Sequence, residues 1–240
     1  MLKSPDWHLL IVWYFFLGGI AGGAYFTAAI ADNFGGSRDR GVVRTGYILS
    51  LLMIGVCGIL LILDLGTPSR FLNMMMHFKF WDPMSIGAWM LGVFGFFLAS
   101  YTGVLLSATA LPFWSDARLM GALFLASGAS TGMAAISLLL YLTGDSAGEG
   151  FKKVKRADRF AIVFEMAVLV LFLVLLGSAG APLTSGHLAP LFWGGLVVLG
   201  LVIPLLVDVL GARWVPAVIP AVLVLVGGFI LRYVVVMTHA

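Results

Sequence analysis

Seven long apolar runs constrain this chain more than any other feature. A helix needs about 20 apolar residues to cross roughly 30 Å of hydrocarbon. The sequence supplies such runs at Leu9–Ala31, Thr45–Asp64, Ser85–Leu111, Leu119–Leu142, Phe160–Ser178, Leu188–Val207 and Trp214–Met237. Lipid cannot pair with open backbone groups, so each run must satisfy its own hydrogen bonds as a helix. The expected fold is an all-α, polytopic transmembrane helical bundle of about seven spans, with eight possible, forming a single integral membrane domain over residues 1–240. Composition closes off the other classes. The chain is 61% hydrophobic and 10% charged, against roughly 45–50% and about 25% in soluble domains. Its 14 basic and 11 acidic residues leave a net charge of +3, too sparse for a nucleic-acid surface. Cys57 is the sole cysteine, so no internal disulfide forms and no iron–sulfur cluster, which needs about four thiolates, can sit on this protein.

The first run is too long for a signal-peptide core and reads as a retained helix. Trp7, Trp81, Trp114 and Trp214 fall at run ends, where indole rings favour the membrane interface. A seven-span count collects Lys3, Arg70, Lys79, Arg213 and the five basic residues of Lys152–Arg159 on one side. Arg38, Arg40, Arg44, Arg118 and Arg232 fall on the other. The basic bias predicts a cytoplasmic N-terminus, with Leu65–Met84 and Thr143–Arg159 as cytoplasmic loops.

Small residues mark where helices approach. The first run holds two overlapping G-x-x-x-G pairs, Gly18/Gly22 and Gly19/Gly23, and the fourth holds Ser127-Gly128-Ala129-Ser130-Thr131-Gly132. Close helix packing accounts for both; a ligand cleft against such a groove is the alternative.

Ionisable groups within a span cost roughly 2.5–3.5 kcal/mol at the helix centre, so each needs a reason. Glu165 stands about six residues into the fifth run, roughly 9 Å deep at 1.5 Å per residue. Either a loop arginine pairs with it, or it exchanges protons beside a bound ligand. Asp64 closes the second run ahead of Gly66-Thr67-Pro68 and lies six residues from Arg70; an ion pair pinning the loop or a proton relay both fit. Asp208 and Arg232 are near enough to run ends to snorkel. Tyr14 and Tyr101 lie inside runs and need hydrogen-bond partners. His8, His77, His187 and His239 all lie at run ends or in loops, which disfavours a haem held between helices.

Several stretches together resemble the NrfD/PsrC family of membrane subunits. They are Tyr14–Ala24, the loop Leu63-Asp64-Leu65-Gly66-Thr67-Pro68-Ser69-Arg70-Phe71, Asp82–Trp89, Tyr101–Ser107, Phe192-Trp193-Gly194-Gly195 and Val226–Tyr233. The resemblance covers most of the sequence in the right order. It implies a quinone- or quinol-interacting subunit, with menaquinone or ubiquinone as bound substrate and no cofactor of its own. It implies an iron–sulfur (ferredoxin-like) partner, a molybdenum or other catalytic subunit beyond it, and a bacterial inner membrane. Tyr14 and Tyr101 match the family's quinone-pocket positions. The family usually has eight helices, however, with the Trp89 and Tyr101 motifs on different ones. On one continuous helix these two residues would stand about 18 Å apart. The residue reading instead groups Tyr14, Asp64, Trp89 and Glu165 in one leaflet. Glu165 or Asp64 would relay the proton, Tyr14 would bond a quinone carbonyl, and Arg70 with the Leu65–Met84 loop would dock the iron–sulfur protein. A purely structural anchor and a small transporter are the competing functions; no internal repeat favours the transporter.

Overall fold

The structure, a computed structural model, describes residues 9–64, 119–210 and 216–238. Six helices account for nearly all of them: α1 (Leu9–Phe34), α2 (Arg40–Asp64), α3 (Met120–Leu142), α4 (Glu149–Leu176), α5 (Leu191–Val209) and α6 (Val218–Met237). All six contain a segment long and apolar enough to cross a membrane. The protein is an all-α integral membrane protein, and six of the seven expected spans are present. The seventh, Ser85–Leu111, lies outside the described residues.

Two tight connections set the topology. After α1, Gly35 and Gly36 lead into a single 3-10 turn, Ser37–Asp39, where the Gly36 N–H donates to Asp39 Oδ2 at 3.0 Å. Between α3 and α4, the Thr143 N–H donates to the Leu139 carbonyl and the Asp145 N–H to that of Leu140, both at 2.9 Å. Gly144 sits between them at φ +81°, a left-handed position that glycine adopts without a steric penalty.

These two turns lie side by side. Lys153 Nζ bonds Asp39 Oδ2 at 2.7 Å, and a Cβ on Gly41 would strike the Asp145 carboxylate. Arg38, Arg40, Arg44 and the basic run Lys152–Arg159 therefore share one end of the bundle. That corrects the expectation that they face opposite sides. The physical reason is antiparallel packing. Gly46 of α2 meets Ala24 and Ala28 of α1 and Ile136 of α3, so α2 ends and α3 begins at the same end.

α1 packs between α2 and α3, α3 also against α4 and α6, and α6 against α5. Aromatic and aliphatic side chains fill the interior, among them Phe15, Phe124, Phe172, Phe192 and Leu231. Other apolar residues point outward: Phe160 is 71% and Val174 70% exposed, as lipid-facing positions require. α5 winds as a π-helix from Leu191 to Val202, then continues as an α-helix from Ile203 with Pro204 in its first turn. Its Gly200 sits against Gly227 of α6 so closely that neither has room for a Cβ.

Candidate functional site

Glu165 is 2% exposed and points from α4 into the bundle. Its partner is Ser130 on α3, whose Oγ lies 2.5 Å from Oε2. The same hydroxyl lies 3.0 Å from the Ser127 carbonyl oxygen. A serine has one O–H proton and can serve only one of these acceptors at a time. With Glu165 ionised, Ser130 donates to the carboxylate. With Glu165 protonated, the carboxyl donates to Ser130 Oγ and Ser130 turns to the Ser127 carbonyl. A single hydroxyl rotation therefore keeps either protonation state of Glu165 hydrogen-bonded.

Arg232 of α6 stands next in line, fully enclosed at 0% exposure. Its Nε donates to the Phe15 carbonyl at 3.0 Å. Nη1 donates to Ser127 Oγ at 3.0 Å and to the Gly228 carbonyl at 2.7 Å. The guanidinium also lies over the rings of Phe124 and Phe16, at 5.5 and 6.0 Å. Its Nη2 has no hydrogen-bond partner among the described residues. Gly19 makes the space: a Cβ there would collide with Nη2. Ser127 thus joins the arginine of α6 to the carboxylate of α4, with α1 supplying a backbone acceptor.

A groove lies between α1, α3 and α4. Gly22, Gly23 and Phe26 of α1, Leu125, Gly128 and Ala129 of α3, and Phe164 of α4 enclose about 240 Å³ of almost wholly apolar space. Phe164 immediately precedes Glu165.

Comparison with known proteins agrees with this membrane architecture. The family model "Polysulphide reductase, NrfD" matches residues 1–101, and a second, "Polysulfide reductase", matches residues 88–239. The protein belongs to the NrfD polysulfide reductase family. The C subunit of polysulfide reductase from Wolinella succinogenes is 28% identical, over 85% of this sequence and 83% of its own. An NrfD homolog from Haemophilus influenzae is 24% identical, over 84% of this sequence and 83% of its own. No solved structure matches.

Within this NrfD-family protein, Tyr14 is buried in α1, its ring 5.6 Å from that of Phe15. It neighbours the residue whose carbonyl holds Arg232. The Tyr14 carbonyl accepts from Cys57 Sγ at 3.6 Å. Asp64 ends α2 seven residues beyond Cys57, about 10 Å farther along the axis toward the Leu9 end. Glu165 does not share that depth; it faces Ser130, on the far side of the Arg232 contacts. Arg70, Trp89, Tyr101 and the Leu65–Met84 loop lie outside the described residues.

Two sequence readings need correction. Arg232 does not snorkel; it is the largest fully buried side chain among the described residues. Glu165 faces Ser130 rather than pairing with a loop arginine. Ser127 and Ser130 read from sequence as packing residues, although polar groups one turn apart in an apolar helix are the available signal. Asp158 escapes the sequence reading because the basic run around it looks like a loop. α4 starts at Glu149, and Asp158 is 2% exposed.

Proposed function

We propose that this protein is the quinone- or quinol-interacting membrane subunit of a multi-subunit oxidoreductase, exchanging electrons with an iron–sulfur partner. Support comes first from kinship: one relative is named as a single subunit of polysulfide reductase. The observation that carries the reading is the Glu165–Ser130 pair, a buried carboxyl group that stays hydrogen-bonded in either protonation state, close to Arg232. Quinone reduction consumes two protons with two electrons, so a site in lipid needs such a group. The groove at Gly22, Gly23, Gly128 and Phe164 suits the apolar body of a quinone entering from the lipid. Tyr14 is the proposed hydrogen-bond donor to a quinone carbonyl, and Asp64 a second proton carrier near the Leu9 end. Arg70, Trp89 and Tyr101 keep their proposed roles from the family resemblance.

The eight basic residues at Arg38, Arg40, Arg44 and Lys152–Arg159 favour the cytoplasmic side of a bacterial inner membrane for their end of the bundle. The N-terminus and the Asp64 end then face the other side, where the loop after Asp64 would dock the iron–sulfur protein. A photoreactive quinone analogue, applied to the complex purified with its partners, tests the reading. Attachment to peptides of α1 or α4, displaced by excess quinone, is the expected result. Attachment only to other subunits, with the complex intact, would leave this protein a structural anchor.

A further inference from the structure

A second polar level lies along the same helix interface, with a serine and an aspartate whose buried oxygens are left open. α3 and α4 run antiparallel through the short Thr143–Gly148 connection, with Ser130 facing Glu165. Seven residues on along α3 is Ser137; seven residues back along α4 is Asp158. Seven residues make almost two whole helical turns, so each keeps the face of its counterpart, about 10 Å nearer the basic end. Ser137 is 1% and Asp158 2% exposed. Ser137 Oγ and Asp158 Oδ1 have no hydrogen-bond partner among the described residues. Buried polar atoms left open in this way are met by ordered water in native proteins.

Asp158 also lies close to a partly covered ion pair. One turn earlier on α4, Lys155 pairs with Asp208 of α5 at 2.9 Å, both side chains largely but not wholly covered. The charged groups facing Asp158 are thus Lys155 on its own helix, Asp208 from α5 and, two turns deeper, Glu165. Ser137 stands at the matching level of α3. The Lys153–Asp39 pair ties the same end of α4 to the turn before α2. Ala134 and Ile162, both 0% exposed, lie between the two polar levels.

We propose that the α3–α4 interface carries a water-bridged proton route from Asp158 and Ser137, at the basic end, to Ser130 and Glu165 in the bundle. A proton from the aqueous phase converts the Asp158 carboxylate to the acid. Its transfer through hydrogen-bonded water protonates Glu165 and restores Asp158 to carboxylate. Rotation of Ser130 then lets Glu165 release the proton to an oxygen of the reduced quinone on the α1 side, which returns Glu165 to the carboxylate. No electron moves in these steps. The route rests on the quinone reading only for its sink, where electrons arrive from the iron–sulfur partner. It deepens that reading by fixing the side from which protons come, opposite the Asp64 end.

The test separates the two ideas. In the purified complex, the infrared carboxyl band abolished by Glu165→Gln reports proton exchange at Glu165 after transfer into heavy water, without turnover. Asp158→Asn should slow that exchange by about tenfold or more, and Asp158→Glu should restore it. Ser137→Ala leaves every carboxylate in place and should slow exchange a few-fold even if Asp158→Asn fails to assemble. Quinone-linked turnover of Asp158→Asn should fall in parallel and recover in part when a small permeant weak acid is added. Native exchange and native turnover in Asp158→Asn would overturn the route. Slowed exchange in a complex that binds no quinone analogue would support the route and overturn the quinone reading alone.

Discussion

The guanidinium of Arg232 reaches three acceptors and two aromatic rings without touching water. Arginine can do this because its donors form a rigid planar fork; lysine, a single point of charge, could not span Phe15, Ser127 and Gly228. Loss of the guanidinium leaves buried polar acceptors unpaired, which costs about 1–3 kcal/mol for each one left unsatisfied. Arg232→Leu is therefore expected to lower the thermal midpoint of the detergent-solubilised protein sharply. Ser127→Ala removes a hydroxyl that meets both Arg232 and Glu165 and should cost about 0.6 kcal/mol for each bond, the average measured for polar pairs in membrane bundles. Equal losses from the two substitutions would contradict the central place given to the arginine.

At the scale of helices, the glycines of α1 divide into two kinds. Gly23 lies against the backbone of Gly128 and Gly132 on α3, whereas Gly19 lies against the Arg232 guanidinium. Gly23→Ala should force α1 from α3 and destabilise the fold by about 1–3 kcal/mol. Gly19→Ala should instead displace Arg232 and slow proton exchange at Glu165. Gly55→Ala is the control, since none of the described residues lies within 4 Å of a Cβ there; it should leave the thermal midpoint unchanged or raised. The sequence motif makes Gly19 and Gly23 equivalent, because spacing along one helix cannot tell what packs against it. The helices themselves are legible: long apolar runs locate α1, α2 and α3 to within a few residues. The start of α4 is not, because Lys152–Arg159 reads as a polar connection. Helical periodicity back from Glu165 puts Asp158 on the same face and is the signal that would find it. The π-winding of α5 leaves no mark in a uniformly apolar stretch. Glu165 stands out as an isolated carboxylate, while its partners on α3 and α6 depend on tertiary register.

For the whole molecule, sidedness follows from the contact between the two turns at Asp39 and Lys153. Cysteines introduced at Ser37 and Ser146, in a background lacking Cys57, should label from the same side and be shielded from impermeant reagents in intact cells. Labelling from opposite sides would break the packing described for α2 and α4. On the proposed reading, proton entry and electron entry lie at opposite ends, with Glu165 between them. The most direct measurement is quinone-linked turnover of the assembled complex carrying Glu165→Gln, which keeps the side chain's shape and removes its ionisation. The account predicts that turnover falls by about a hundredfold while partner subunits and quinone analogue still bind. Turnover at the native rate across the pH range would contradict it.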